Sequence, residues 1–394
     1  MSTDDLGFLF EDRHAELAER VRRVVRALLA LEASGKGDDD LARATVALLG
    51  EAGLCRLFAP EQGVDPSAPQ RGVDLRALCL VREALAWASG GADSLFAVQG
   101  LGTWPIVAFG SEAQKAKWLP DALAGRAVAA FGLTEPEAGT DVASLRTVAV
   151  RDGAGWRLSG QKTFISNAPV ADRIVVFANA APERGRKGIT AFIVPRGAPG
   201  LSVRADLPLV ADHSIGSLSL DGCEVSDDDR LGEVGDGFRV AMSTLDTFRV
   251  TVGAAAVGMA RRALEEAVRR TTVRKQFGKE IAEFQQVQGY LADSSAELDA
   301  ARLLVLRAAR LRDFGASSIT QEAAVAKMFA TEAAQRIIDR SLQLHGGLGV
   351  VRGVAVERLY REIRALRIYE GTTEIQRVVI ASRLIATEKQ RGDS

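Results

Sequence analysis

The feature that most constrains this chain is a block of short β-branched runs set between two long stretches of helical periodicity. Within about 129 to 220 the sequence carries Val148-Ala149-Val150, Trp156-Arg157-Leu158, Ile174-Val175-Val176-Phe177 and a run from Ile189 to Val194. Turn signals such as Asp152-Gly153-Ala154-Gly155 separate them. Runs of this length and composition fit strands, and the block predicts an antiparallel β-domain, a small barrel or sandwich. Before it, Leu17, Val21, Val24, Val25 and Leu28 recur at helical spacing. Further helices are expected over 41–52, 75–88 and 113–119, with a loop at 60–66. After it, stripes on Val257, Ala260, Leu264, Ala267 and Val268, and on Val287, Leu291, Leu298, Ala301 and Val305, are joined by periodic segments at 319–344 and 377–387. Four long helices with short connections predict an antiparallel bundle. The expected fold class is α+β in three domains: an N-terminal all-α domain over 1–128, a middle antiparallel β-domain over 129–240 and a C-terminal four-helix bundle over 241–394.

Charge and composition remove several function classes. Fifty basic against 51 acidic residues give a net charge of −1, so no excess of positive charge points to nucleic acid. No apolar run approaches the roughly 18 residues that a membrane span needs, and no membrane insertion is expected. The acidic N-terminus has no basic-then-apolar export signal, which predicts a cytoplasmic protein. Cys55, Cys79 and Cys223 have no metal-ligand spacing and read as reduced core or surface thiols. His14, His213 and His345 are far apart, so no metal site is expected.

The chemistry-bearing stretch lies near the end: Tyr369-Glu370-Gly371-Thr372-Thr373-Glu374. Glycine after the carboxylate allows unusual dihedrals and close approach, and a desolvated carboxylate is a competent base near neutral pH. Taken alone, a Glu beside a Gly reads as a solvated loop residue. Four separated motifs change that reading. They are Phe131-Gly132-Leu133-Thr134-Glu135-Pro136-Glu137-Ala138-Gly139-Thr140-Asp141, Lys162-Thr163-Phe164-Ile165-Ser166-Asn167, Arg274-Lys275-Gln276-Phe277-Gly278 with Phe284-Gln285, and the Glu370 segment. Gln343-Leu344-His345-Gly346-Gly347-Leu348-Gly349 lies between the last two. In this order, across nearly the whole chain, they resemble the acyl-CoA dehydrogenase family of flavoenzymes.

The resemblance implies FAD as cofactor and a homo-oligomer, typically a tetramer. It places Phe131, Leu133, Thr134, Gly139, Thr140, Phe164 and Ser166 at the isoalloxazine, with the Ser166 hydroxyl on N5 and the backbone from Leu133 to Gly139 along the polar edge. Arg274, Phe277 and Gln285, with Gln343, Gly346 and Gly347, would hold the pyrophosphate and adenylate half, in part from a neighbouring subunit. Thr372 and Glu374 would also face the cofactor. Glu370 would take the pro-R α-proton of an acyl-CoA while the β-hydrogen leaves as hydride, giving a trans-2-enoyl-CoA. Its N–H and a ribityl hydroxyl would hold the thioester oxygen. Asp246, Arg249, Tyr369 and Gly371 would line the substrate site. An electron-transfer flavoprotein or a similar acceptor would take the electrons.

The residues by themselves leave other readings open. Asp246 and Arg249 serve equally well as a solvated helix face, Gly346 as a helix C-cap and Asp141 as an Asx-type cap. One branch of the family carries its base at the position of Phe248, which cannot accept a proton, so Glu370 is the candidate that remains. The stretches at 97–105, 209–216 and 360–364 depart from the family pattern and leave the acyl group open. An acyl-CoA oxidase, a carrier-protein-linked dehydrogenase and a non-catalytic macromolecule-binding relative stand as alternatives. The last would need a basic surface, for which Arg261, Arg262, Arg269 and Arg270 are the local candidates.

Overall fold

The computed structural model describes residues 4–59, 72–211 and 213–392; the loop expected at 60–66 lies outside them. Five helices come first: α1 (Asp12–Glu32), α2 (Asp38–Glu51), α3 (Leu75–Ala88), α4 (Gly90–Phe109) and α5 (Glu112–Leu123). Eight strands follow: β1 (Ala129–Gly132), β2 (Val148–Asp152), β3 (Gly155–Ser166), β4 (Arg173–Asn179), β5 (Ile189–Pro195), β6 (Leu201–Arg204), β7 (Ile215–Ser226) and β8 (Arg230–Leu231). The chain then returns to helix in α6 (Gly237–Thr271). A two-stranded hairpin of β9 (Lys275–Gln276) and β10 (Lys279–Glu280) leads to α7 (Gln285–Asp313), α8 (Thr320–His345), α9 (Ala355–Leu366) and α10 (Thr373–Gly392). Packing divides the chain into two compact units, one within segments 1–25, 63–93 and 249–394, the other within 26–62 and 94–248.

The second unit is built on an eight-stranded sheet of order β6-β7-β3-β2-β4-β5-β8, with β1 beside β4. Pairing is antiparallel along most of this path. The exception is one edge of β4: β5 pairs antiparallel along the other edge, while β1 and the start of β2 share this one in parallel register. β4 and β5 are buried along almost their whole length, which their continuous β-branched and aromatic runs require. Val175, Phe177, Ile193, Leu133 and Val240 lie in one core cluster, and Phe131 meets Phe177 edge to face at 4.9 Å between centroids. The β3–β7 register shifts between Lys162 and Ile165. That irregularity puts Phe164 in left-handed backbone with φ 54° and leaves its ring 58% exposed at the end of β3.

In the first unit α8 packs against α7, α9 and α10, and α3 against α7. α6 approaches closely at two glycines. A Cβ on Gly253 would meet Val305 at 2.8 Å, and one on Gly258 would strike the Glu83 carbonyl oxygen. Two helices were not anticipated. α4 is buried on nearly every side, so it has no polar face to mark its period. α9 buries Val356, Leu359, Ile363 and Leu366 at helical spacing, although its Arg and Glu residues read locally as a mere departure from pattern.

Candidate functional site

The turn between α9 and α10 carries Glu370. Ile368 and Tyr369 both donate to the Ala365 carbonyl and Thr373 donates to Arg367, closing the loop tightly. Glu370 then adopts φ 52° and Gly371 φ 91°. The first of these is costly for a residue with a Cβ, so the surroundings must hold it. They do so through the turn's own carbonyl oxygens. Lys327 Nζ of α8 donates to the Gly371 carbonyl at 2.7 Å, and Gln376 Nε2 donates to the same oxygen at 2.9 Å and to that of Glu370 at 3.3 Å. Arg249 Nε reaches the Glu370 carbonyl at 3.4 Å. Behind the turn, Thr373 Oγ1 and Arg367 Nε both donate to Glu332, at 2.7 and 2.8 Å.

With its backbone fixed, the Glu370 side chain is left under-satisfied. Its Oε2 is enclosed and has no hydrogen-bond partner among the described residues. Burial pushes its pKa above the ordinary value of 4.5, against the opposing charges of Arg82, Arg249 and Lys327. Arg82 is itself wholly buried. It makes a bidentate pair with Asp93 at 2.7–2.8 Å and donates to Thr251 Oγ1 at 2.9 Å. Burial likewise pushes the Tyr369 phenol up, against the charge of Arg82, while 36% of the residue remains exposed. A carboxylate with one oxygen enclosed and unpartnered, and with cations nearby, can take a proton from a bound molecule.

The second unit holds a different polar cluster under the Phe131–Asp141 motif. Lys162 Nζ, fully buried, donates to Glu135 Oε1 at 2.7 Å and to the Leu133 carbonyl at 3.2 Å. Glu135 also accepts from the backbone of Arg146 and Thr147 at 2.6 and 3.0 Å and from Thr147 Oγ1 at 2.5 Å. Burial alone would raise its pKa, but Lys162 and these donors hold it below the usual glutamate value. Burial brings Lys162 down to about 8. This pair shapes the loop that presents Thr134. At the neighbouring end of β3, Ser166 Oγ lies 3.2 Å from His213 Nε2, and Asn167 N–H donates to the Ser214 carbonyl at 2.8 Å.

The remaining candidates fall into groups. Gly139 and Thr140 are exposed, Thr134 and Phe131 are half-buried, and the Leu133 side chain belongs to the core. The expectation of backbone contacts from Leu133 to Gly139 does not extend to the Glu135 and Ala138 N–H groups, which donate to each other's carbonyls across the turn. Arg274, Gln285 and Gln343 are exposed, and the Phe277 ring is 95% exposed in left-handed backbone. Gly346 caps α8 with φ 62°, and a Cβ on Gly346 or Gly347 would meet nothing within 4 Å. Thr372 Oγ1 accepts from Ile375 N–H at 3.4 Å, and Glu374 is exposed in the first turn of α10. Asp246 and Arg249 are half-buried on α6, and Phe248 packs 6.2 Å from Phe58.

Some expectations fail for physical reasons. Asp141 makes no side-chain cap bond. Three of the four arginines that suggested a basic patch are engaged in ion pairs: Arg261 with Glu83, and Arg262 and Arg269 with Glu266. The three cysteines take the core alternative of their reading, free and buried, and burial pushes the Cys55 thiol up to about 12 and Cys223 to about 11. Sequence reasoning missed Arg82, Asp93, Lys327 and Gln376. The signal available was charged or polar residues inside otherwise apolar helices, which rarely occur unpaired.

Three family models match this chain: the N-terminal domain of acyl-CoA dehydrogenase over residues 11–126, the middle domain over 130–223 and the C-terminal domain over 235–385. A 3-(aryl)acrylate reductase of Clostridium sporogenes is 41% identical over 80% of this chain and 84% of its own. The caffeyl-CoA reductase-Etf complex subunit CarC of Acetobacterium woodii is 39% identical over 80% of this chain and 83% of its own. The structure of butyryl-CoA dehydrogenase from Megasphaera elsdenii superposes with a TM-score of 0.87 at 33% identity, covering 95% of this chain and 99% of that one.

Proposed function

The chain belongs to the acyl-CoA dehydrogenase family and is an FAD-dependent oxidoreductase; on that premise we propose that Glu370 is the base that removes the α-proton of an acyl-CoA thioester. The observation that carries this is the enclosed, unpartnered Glu370 Oε2 on a turn whose backbone is bound from three directions. The residues fit the cofactor in the second unit too. Phe164 offers an exposed ring on a backbone irregularity, and the half-buried Ser166 and Thr134 carry hydroxyls in the same unit.

Bound FAD supplies the acceptor for the β-hydrogen as hydride. The chain's own residues do the rest. Enclosure of its Oε2 raises the proton affinity of the Glu370 carboxylate. The charges of Arg82, Arg249 and Lys327 oppose that rise. The Glu370 N–H is our candidate donor to the thioester oxygen, where charge develops as the proton leaves. Tyr369 and Gly371 frame the substrate, and Asp246 and Arg249 serve its CoA side. The product is then a trans-2-enoyl-CoA. We assign the adenylate half of the cofactor to Arg274, Phe277, Gln285, Gln343, Gly346 and Gly347. Their exposure in a single chain suits contact with a second copy, and we propose a homotetramer in the cytoplasm, with segments 1–128, 129–240 and 241–394 as its functional domains. An electron-transfer flavoprotein is the proposed acceptor, in keeping with a relative named as part of an Etf complex.

Two relatives carry the name reductase. They support a second reading in which the same base and acceptor run in reverse, with Glu370 returning the α-proton to an enoyl-CoA. One experiment serves both. A panel of acyl-CoAs differing in length, branching and aromatic substitution is mixed anaerobically with the yellow holoenzyme, and flavin bleaching is followed by stopped flow. Glu370→Gln should slow bleaching by about 10²–10⁴-fold with FAD content unchanged. A Gln variant as fast as wild type overturns the assignment.

A further inference from the structure

We propose that Lys327 is a positioning residue for the base: its ammonium clamps the Gly371 carbonyl and thereby holds Glu370 in the left-handed backbone from which its carboxylate faces the substrate. The inference rests on the reading of Glu370 given above and adds a residue that this reading does not require. Lys327 lies inside α8, 43 positions before Glu370 in the chain, and is fully buried. A lysine in that setting needs a partner. The partner is an uncharged carbonyl, that of Gly371 at 2.7 Å, although acidic groups lie nearby. The bond therefore uses a full charge to fix a backbone angle, where a neutral amide, Gln376 Nε2, already donates to the same oxygen at 2.9 Å.

Geometry explains why two donors converge. Glu370 at φ 52° and Gly371 at φ 91° turn their carbonyl oxygens into the unit's interior. An unpaired buried carbonyl would favour relaxation of the turn, and any relaxation swings the Glu370 side chain. Displacement of a reacting group by about 1 Å can cost on the order of 10²-fold in rate. The charged groups facing Lys327 are Glu370 on the turn, Arg249 on α6, Glu332 on α8 and Glu374 on α10; the charges of Arg82 and Asp93 also act on Glu370. Burial, reinforced by Arg249 and opposed by Glu370, Glu332 and Glu374, brings the Lys327 pKa down to about 8. The clamp is consequently a titrating one. Below that pH it holds the turn as a charge-assisted bond; above it, a neutral amine holds it more weakly and the positive charge beside Glu370 is lost.

The test uses the holoenzyme with the acyl-CoA that bleaches it fastest. Flavin-reduction rate and its substrate dependence are measured from pH 6 to 10 for wild type, Lys327→Met, Lys327→Arg, Gln376→Ala and Glu370→Gln. We expect wild type to lose rate on the alkaline side. Lys327→Met should lower the limiting rate roughly 10- to 100-fold and flatten that limb, with half-saturation, FAD content and visible spectrum near wild type. Gln376→Ala should be slower but keep the limb, because its donor never titrates. Lys327→Arg, which stays charged throughout the range, should move the limb beyond pH 10, and it carries the test if the Met variant does not fold. A Met or Arg variant that keeps both the wild-type limiting rate and the wild-type alkaline limb overturns the inference. A Glu370→Gln variant of wild-type speed overturns the underlying reading instead, so the two failures are distinct.

Discussion

Glu135 and Glu370 make an instructive pair. Each lies near a buried lysine, Glu135 itself buried and Glu370 half-buried with its Oε2 enclosed, and in both places burial brings the lysine down to about 8. Yet Glu135 is held below its ordinary pKa and Glu370 above it. The difference lies in what the lysine touches. Lys162 bonds the Glu135 carboxylate directly, and Thr147 and the Arg146 N–H take up the remaining lone pairs. Lys327 bonds a backbone carbonyl, and the Glu370 Oε2 is left without a partner. A satisfied buried carboxylate fixes structure. An enclosed and unsatisfied one remains available for chemistry.

The largest effect that this contrast predicts is on folding. Lys162→Met would leave Glu135 buried without its counter-charge and should cost about 3–5 kcal/mol, as breaking a buried pair does. Chemical denaturation of the holoenzyme at pH 7 measures it. A loss below about 1 kcal/mol would mean that Glu135 is held by its neutral donors alone.

A smaller effect concerns the pH dependence of stability, where the two sites should have opposite signs. Glu135 has a depressed folded pKa, so its contribution is present above the unfolded value near 4.5 and lost as pH falls through the folded one. Wild type should therefore lose its advantage over Glu135→Gln on acidification. Glu370 has a raised folded pKa. In the window above 4.5 the folded state binds more protons than the unfolded, and wild type should lose stability relative to Glu370→Gln as pH rises. Melting temperatures of the three proteins from pH 4 to 8 test both signs, and curves that run parallel would erase the contrast.

How much of this was legible in the sequence follows from the same physics. The helix–strand–helix order was readable because amphipathic stripes and β-branched runs record burial on one face. α4 was not, because a helix buried all round has no period to detect. Glu370 stood out through its Tyr-Glu-Gly-Thr setting. Arg82 and Lys327 did not, since their roles depend on partners 11 and 44 positions away in the chain. Glu135 was visible as part of a motif, but the four donors that decide its protonation come from β3 and the segment at 146–147. Local pattern reports which residues are buried; it does not report what they bond once there.

The smallest effect expected is a control. Glu374 lies four residues beyond Glu370 and is exposed. Its pKa is lowered by its own backbone N–H and by Thr372, the opposite of what a buried base shows. Glu374→Gln should leave the rate of flavin reduction within about threefold of wild type in the stopped-flow assay, a change too small for loss of a general base. A loss comparable to that of Glu370→Gln would place the base function on the wrong residue.

The most direct measurement is the titration of Glu370 itself. Infrared difference spectra of the unliganded holoenzyme, recorded across pH 3 to 9 with Glu370→Gln as the subtraction, isolate the carboxyl band of this one residue. The account predicts a protonated band that persists above the ordinary glutamate value of 4.5, while the band assigned by Glu135→Gln is lost below it. A Glu370 band that disappears at or below 4.5 would show a solvated or fully paired carboxylate and would contradict the account.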